Sequence, residues 1–162
     1  MFGDDTVTLM PSYHEAMEAE ANYAAGRLLF MSDRFGAEAM ASAPSLELIR
    51  ALSTKYGNTI TSTLWRFVEQ AEAQRPIVAL VTGHPHRSRR KPDFDAVNPC
   101  RYCIQSPLFR ANFGRLTDAD LFGIVAGYSG PQRAGPLGEA EVRLVNDDGQ
   151  RHLFNFETFF NG

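Results

Sequence analysis

The chain has 162 residues and an apolar fraction of 44%, enough for one folded domain or two small ones, and its net charge of −3 argues against a generally basic surface for nucleic acid. It contains no run of about 20 apolar residues to cross a membrane, and its acidic N-terminus lacks the apolar segment of a signal peptide. Its two cysteines are too few for a disulfide framework, so we expect a cytoplasmic protein without a membrane partner.

The N-terminal third begins with a predicted helix. Ser12 is a candidate N-cap, and Glu15 three residues later completes a capping box, for a helix that runs to about residue 31. A turn follows, and a short alanine-rich helix is expected over residues 35–40.

The next two helices are separated by a glycine stop signal. Ser45 is the predicted cap of the first helix, which ends at Gly57. The second begins at Thr59 or Thr61. Two helices joined by a short glycine turn have the outline of a helix-turn-helix.

After residue 75 the apolar period changes from helical to extended. The predicted elements are strands at 77–81 and 100–105, a helix at 116–127, and strands at 139–145 and 152–160 joined by a hairpin turn at 146–149. Long loops are expected over residues 83–98 and 129–138. The prediction is an α+β protein, with a helical half over residues 1–75 and an antiparallel sheet with one or two helices over residues 76–162.

Acidic residues stand inside the apolar pattern of the first helix. Glu18 borders the apolar stripe through Ala21, and it lies four residues before Asn22 on the same face. A carboxylate beside a core-facing stripe tends to be paired, hydrogen-bonded or metal-bound, because an unpaired buried charge is costly. His14, four residues before Glu18, is a further candidate ligand. The alternative is a solvated helix start whose acids interact with the helix dipole.

Residues 18–29 read E-x-E-A-N-x-x-A-x-x-L-L, which resembles the helix that supplies the third zinc ligand in the ImmA/IrrE family of metallopeptidases. The resemblance implies that Glu18 occupies the ligand position, with Glu20 as the alternative. The family takes its other two zinc ligands and its general base from an upstream H-E-x-x-H helix. This chain has only His14-Glu15, and the residue three after Glu15 is Glu18 instead of His.

The resemblance covers about residues 18–71 and implies a portion of a zinc peptidase that cleaves a transcriptional regulator. In such proteins a helix-turn-helix-like segment leads into an α+β module that resembles a sensor domain. Zinc would belong to the intact family protein, and we expect this chain to hold none and to be inactive, as a fragment or a degenerate gene product. The expected partners are a protein substrate or repressor, and a homodimer would cover apolar surface left by a missing layer.

A function from another class is equally open to test. The chain would then be a non-catalytic regulatory module that binds a partner protein, DNA or a small ligand through its second half. A gene-level observation separates the two hypotheses: an in-frame H-E-x-x-H within about thirty residues upstream of Met1 favours the peptidase.

A second candidate zinc set lies in the second half. His84 and His86 form H-x-H, and Cys100 and Cys103 form C-x-x-C, which together offer four ligands for a tetrahedral ion. If residues 100–105 form a strand, however, the two cysteines point to opposite faces and cannot share an ion. Cys100 would then share a face with its neighbours at 102 and 104, as in core packing.

Four basic residues cluster in the first long loop, namely Arg87, Arg89, Arg90 and Lys91. They would contact phosphates if the helix-turn-helix-like pair binds DNA. We favour a solvated loop, because the second helix of that pair offers few basic residues.

Aromatic residues follow the second predicted strand. Phe109 and Phe113 stand near a glycine-rich loop, where they would line a small-ligand pocket or pack in the core. We favour core packing.

Overall fold

The computed structural model describes residues 33–71 and 74–162. Helices make up the first part, and two antiparallel strand pairs with two short helices make up the second, which confirms the predicted α+β class. In chain order the elements are α1 (Asp33–Met40), α2 (Leu46–Tyr56), α3 (Ile60–Arg66), a π-helical turn (Phe67–Ala71), β1 (Val78–Thr82), a 3-10 turn (Arg87–Arg89), β2 (Cys100–Gln105), α4 (Pro107–Asn112), α5 (Asp118–Tyr128), β3 (Gly135–Val145) and β4 (Arg151–Phe160).

Local capping chemistry fixes the bounds of α2 and α3. The Ser45 hydroxyl accepts a hydrogen bond from the Leu48 N–H at 3.1 Å, which satisfies one of the free donors at the start of α2. Gly57 ends α2 with φ of 67°, a left-handed conformation that glycine adopts without a Cβ clash. Thr59 then caps α3. These caps confirm the predicted helix, glycine turn and helix.

The first core lies among α1, α2 and the π-helical turn that extends α3. Its buried residues come from all three elements, because each helix brings one apolar stripe to a common centre. They are Phe35, Ala39, Ile49, Leu52 and Phe67. The ring of Tyr56 meets that of Phe35 edge to face, with centroids 5.4 Å apart.

Strands β1 and β2 form an antiparallel pair with an irregular end. Val78 is paired with Gln105 and Val81 with Tyr102, but Thr82 is paired with Cys100. The register therefore shifts by one residue between Val81 and Thr82, as at a β-bulge.

Strands β3 and β4 form one long hairpin. The register runs from Gly135 opposite Phe160 to Val145 opposite Arg151, with a shift near Gly138. Gly149 closes the predicted turn with φ of 82°. β3 begins earlier than predicted, since its first residues are the glycine and proline that made the sequence look like a loop.

The second core packs β3 and β4 against α4 and α5. Its fully buried members are Phe109, Phe113, Leu121 and Leu144, with Phe154 and Phe156 partly buried around them. Phe109 and Phe113 stack at 4.9 Å, so the predicted core packing is confirmed. Helix α4 was not predicted, although Ser106 caps it and Pro107 occupies its first turn.

Two side-chain contacts also connect helix α2 of the first core with strand β4 of the second core. The Leu46 N–H at the start of α2 donates to the Glu157 carboxylate of β4 at 2.8 Å. The Arg50 guanidinium lies 4.6 Å from the centroid of the Phe159 ring. The predicted division near residue 75 therefore falls between two cores that share an interface; whether each half is a separate domain stays a prediction.

Candidate functional site

The residues of the ImmA/IrrE-like segment, Glu18, Glu20 and His14, lie outside the described residues. Their proposed roles stay predictions. Within residues 33–71 and 74–162, no group of three or more His, Cys, Asp and Glu side chains is arranged to hold a metal ion.

His84 is buried and uses both ring nitrogens. Its Nδ1 accepts a hydrogen bond from the His86 backbone N–H at 3.2 Å, so its Nε2–H donates to the Gln132 carbonyl at 2.7 Å. The ring also packs on Phe160, with centroids 4.7 Å apart. This histidine ties the loop after β1 to the loop before β3, and neither nitrogen has a lone pair directed at a metal.

His86 stabilises the same loop after β1. Its Nδ1 caps the 3-10 turn by accepting from the Ser88 N–H at 3.3 Å, and it also lies 2.8 Å from the Ser88 hydroxyl. The structure thus brings the two histidines together through the backbone of His86, but it does not gather His84, His86, Cys100 and Cys103 into one ligand group.

The two cysteines share one neighbour, the Asp118 carboxylate at the start of α5. Burial raises the pKa of the Cys100 thiol to about 11, and Asp118 adds to the shift. Burial is the main reason that the pKa of Cys103 rises to about 12. The hydrogen bond to Asp118 and the negative charge of that carboxylate raise the pKa further. Both thiols are free and half-buried. Because the thiolate is the reactive form and both pKa values are raised, little thiolate is present at neutral pH and both cysteines are unreactive.

The predicted opposite orientation of the two cysteines is wrong, and the bulge explains the error. An extra residue in β2 resets the alternation of side chains, so Cys100 and Cys103 both lie near Asp118. Tyr102 and Ile104 occupy the other side, where Ile104 is buried and Tyr102 is exposed.

Two members of the basic cluster have structural contacts. Arg89 donates to the Pro131 carbonyl at 2.9 Å. Arg90 donates to the Pro85 carbonyl at 3.1 Å, and its guanidinium lies 4.6 Å from the centroid of Phe94. Arg87 and Lys91 are exposed. The loop is solvated at Arg87, Arg89 and Lys91, as predicted, and the contacts of Arg89 and Arg90 also anchor it to neighbouring segments.

The helix-turn-helix-like pair offers little positive charge. On α3 the exposed side chains are Ser62 and Trp65, and the Ser62 hydroxyl lies 2.9 Å from that of its cap, Thr59. On α2, Lys55 forms an ion pair with Glu38 at 2.6 Å. Arg50 of α2 lies over the Phe159 ring and Arg66 of α3 is partly buried, so the pair presents few basic side chains for phosphate contacts.

A surface not predicted from the sequence lies between α3 and β2. Trp65 and Tyr102 meet edge to face, with ring centroids 5.5 Å apart at 81°. The Arg101 guanidinium lies 5.3 Å from the Tyr102 centroid. Trp65 is 40% exposed and Tyr102 36%, so much of both rings faces solvent. We call these three residues the aromatic surface.

Of the aromatic surface, the sequence indicated the position of Trp65. Trp65 is the single tryptophan of the chain, and it falls off the inward stripe of Leu64, Phe67 and Val68. Tyr102 gave no such signal, because its exposure depends on how closely α3 approaches β2.

No match to this chain is found among protein-family models, curated proteins or solved structures. The ImmA/IrrE resemblance thus rests on residues 18–71 alone. Among the described residues, no helix combines the length and the apolar character needed to span a membrane.

Proposed function

We propose that this chain is a non-catalytic regulatory module that binds a partner protein through the aromatic surface. The observation that carries the proposal is the contact between Trp65 and Tyr102, two half-exposed rings from different elements with Arg101 beside them. Tryptophan, tyrosine and arginine are the residues most enriched at the energetic centres of protein interfaces.

The surface is also preorganised. Each ring restricts the rotamers of the other, and the backbones beneath them belong to a helix and a strand that are each anchored by a buried side chain, Thr63 on α3 and Ile104 on β2. A ring that is already ordered loses little conformational entropy on binding, so more of the contact energy appears as affinity.

The chemistry of the surface defines the partner. Two adjacent rings favour an apolar anchor side chain, and Arg101 favours a carboxylate next to that anchor. We therefore expect a protein segment that presents an apolar residue flanked by Asp or Glu.

A photo-crosslinking amino acid at Thr61, four residues before Trp65 on α3, will capture the partner, and calorimetry with the purified partner will give its affinity. We expect Trp65→Ala and Tyr102→Ala each to raise Kd about tenfold or more. Val97→Ala is the matched control, because Val97 is 78% exposed and lies in a loop. Unchanged Kd in both aromatic variants, or no captured protein, would overturn the proposal.

A second candidate is a portion of an ImmA/IrrE-like zinc peptidase that cleaves a transcriptional regulator and is inactive as this chain. The order of elements supports it, since the α2–α3 pair with its Gly57 turn precedes an α+β module, as the resemblance implies. The upstream reading frame tests it: an in-frame H-E-x-x-H within about thirty residues of Met1 is expected, and its absence removes this candidate.

A further inference from the structure

The hairpin turn fixes which backbone groups of β3 face away from β4. The Asn146 N–H donates to the Gln150 carbonyl at 2.8 Å, which makes these two residues a hydrogen-bonded pair. In an antiparallel ladder such pairs alternate with pairs that do not bond each other. Val145 and Arg151 are therefore a non-hydrogen-bonded pair, and Leu144 and His152 are a hydrogen-bonded pair. The two kinds of pair alternate along the β3–β4 hairpin, which we call the ribbon.

Every second residue of β3 consequently points its N–H and C=O to the outer edge. These residues are Glu139, Glu141, Arg143 and Val145, and all four side chains are exposed. In residues 33–71 and 74–162, nothing hydrogen-bonds to these outward groups. The neighbouring loop meets the edge at Leu137, whose carbonyl accepts from the Gly130 N–H. The part of the chain that the structure describes thus leaves a seven-residue edge, 139–145, without partners, and such an edge is a template for another strand.

The charges on this edge match those of a second copy. If two β3 strands pair antiparallel about Val142, Glu141 of each copy stands opposite Arg143 of the other, and two cross-strand ion pairs form. Shifting the centre to Glu141 keeps two opposite-charge pairs, Glu139 with Arg143, but it places the two Glu141 side chains opposite each other. A centre at Arg143 places the two arginines opposite each other and forms no Glu–Arg pair within 139–145. Opposite charges across a ladder stabilise it and like charges destabilise it, so one register is favoured.

In that register the outward N–H and C=O groups of the two β3 strands also become hydrogen-bond partners. It pairs outward-facing residues only with outward-facing residues, so each N–H meets a carbonyl. On the inner face it places Ala140 opposite Leu144 and Val142 opposite its own copy, which extends the apolar side of the ribbon. The pairing ends at Glu139, just before the place where Gly130 covers the edge.

We propose that two copies of this chain associate through their β3 edges and form a continuous four-stranded antiparallel sheet, centred on Val142. The interface is isologous, as a two-fold axis requires. Main-chain hydrogen bonds supply the affinity and the Glu141–Arg143 pairs supply the register.

Analytical ultracentrifugation of the full chain at micromolar concentrations tests the proposal. We expect a dimer, and we expect Glu141→Arg and Arg143→Glu each to raise its Kd about tenfold or more, since each places like charges at two symmetric positions. The double variant exchanges the two charges and should restore the wild-type Kd. Glu139→Arg is the control, because it makes the same change in net charge opposite Val145.

Amide hydrogen exchange gives a second readout that does not depend on variants. In the dimer, the N–H groups of the four outward residues should be protected at high concentration and exchange on dilution, whereas those of Ala140, Val142 and Leu144 stay protected in both states. A monomeric chain overturns the proposal, as does a dimer unaffected by either charge reversal. Protection of the outward amides only after a different protein is added would identify another occupant, and it would overturn the proposal too.

Discussion

At the scale of single residues, burial, together with one nearby carboxylate, raises the pKa values of two thiols. Burial and Asp118 raise both pKa values above the ordinary value of 9.0, to about 11 for Cys100 and about 12 for Cys103. The folded chain thus holds these protons more tightly than the unfolded chain. Their contribution to stability is fully present below about pH 9 and is lost as the pH rises towards 11 to 12.

The first prediction concerns thiol reactivity. Near pH 8, iodoacetamide should modify both cysteines at least about a hundredfold more slowly in the folded chain than in urea, because the folded chain holds far less thiolate. Asp118→Asn should accelerate both reactions, since it removes a negative charge near both sulfurs. Mass spectrometry of timed samples measures the rates.

The control for this experiment is Asp148→Asn, in the β3–β4 turn, which should leave both rates unchanged. Equal rates in Asp118→Asn and the wild type would show that the carboxylate has no influence on the thiols.

At the scale of the elements, α2 has two caps of different origin. Ser45 is local and satisfies the Leu48 N–H, whereas Glu157 comes from β4 and accepts from the Leu46 N–H at 2.8 Å. A carboxylate at a helix N-terminus also interacts favourably with the helix dipole. One side chain therefore stabilises the helix and fixes its position on the ribbon.

Loss of the distant cap should be measurable. Glu157→Ala is expected to lower the free energy of unfolding by about 1 kcal/mol, because it leaves the Leu46 N–H without its acceptor and removes the charge. Glu157→Gln should cost about half as much, since the amide oxygen still accepts. Urea denaturation gives both values.

Glu139→Ala is the matched control for the cap. Glu139 lies directly opposite Glu157 in the ribbon, so its removal relieves a like-charge contact and should not lower stability. Equal losses in Glu139→Ala and Glu157→Ala would contradict the capping role.

At the scale of the whole molecule, neither core is large. The first depends on Phe35, Ile49, Leu52 and Phe67, and the second on a set of phenylalanines and leucines under the β3–β4 ribbon. Small units bury too little apolar surface to be stable alone, and the contacts from Glu157, Phe159 and Tyr102 bridge the two.

We therefore predict one cooperative unfolding transition. Leu52→Ala in the first core and Leu121→Ala in the second should each lower the free energy of unfolding by about 2–5 kcal/mol and shift the same transition. Scanning calorimetry should give a calorimetric enthalpy equal to the van't Hoff enthalpy. Two separated transitions, each sensitive to one substitution, would instead show two independent domains.

The sequence by itself determined the features that a few neighbouring residues control. Ser45 and Gly57 marked the ends of a helix correctly, because a cap satisfies backbone groups within one turn. The turn after Val145 and the alternation along β4 were equally readable, since both depend on local backbone preference and on a period of two. Together these signals were enough for the α+β class.

Only the tertiary structure decided how distant segments meet. The bulge in β2 put both cysteines near Asp118, and the approach of α3 to β2 brought Trp65 to Tyr102. The cap on α2 comes from a residue 111 positions away. Such contacts depend on the packing of elements, which no local pattern records, and for this reason the aromatic surface and the open β3 edge emerged from the structure alone.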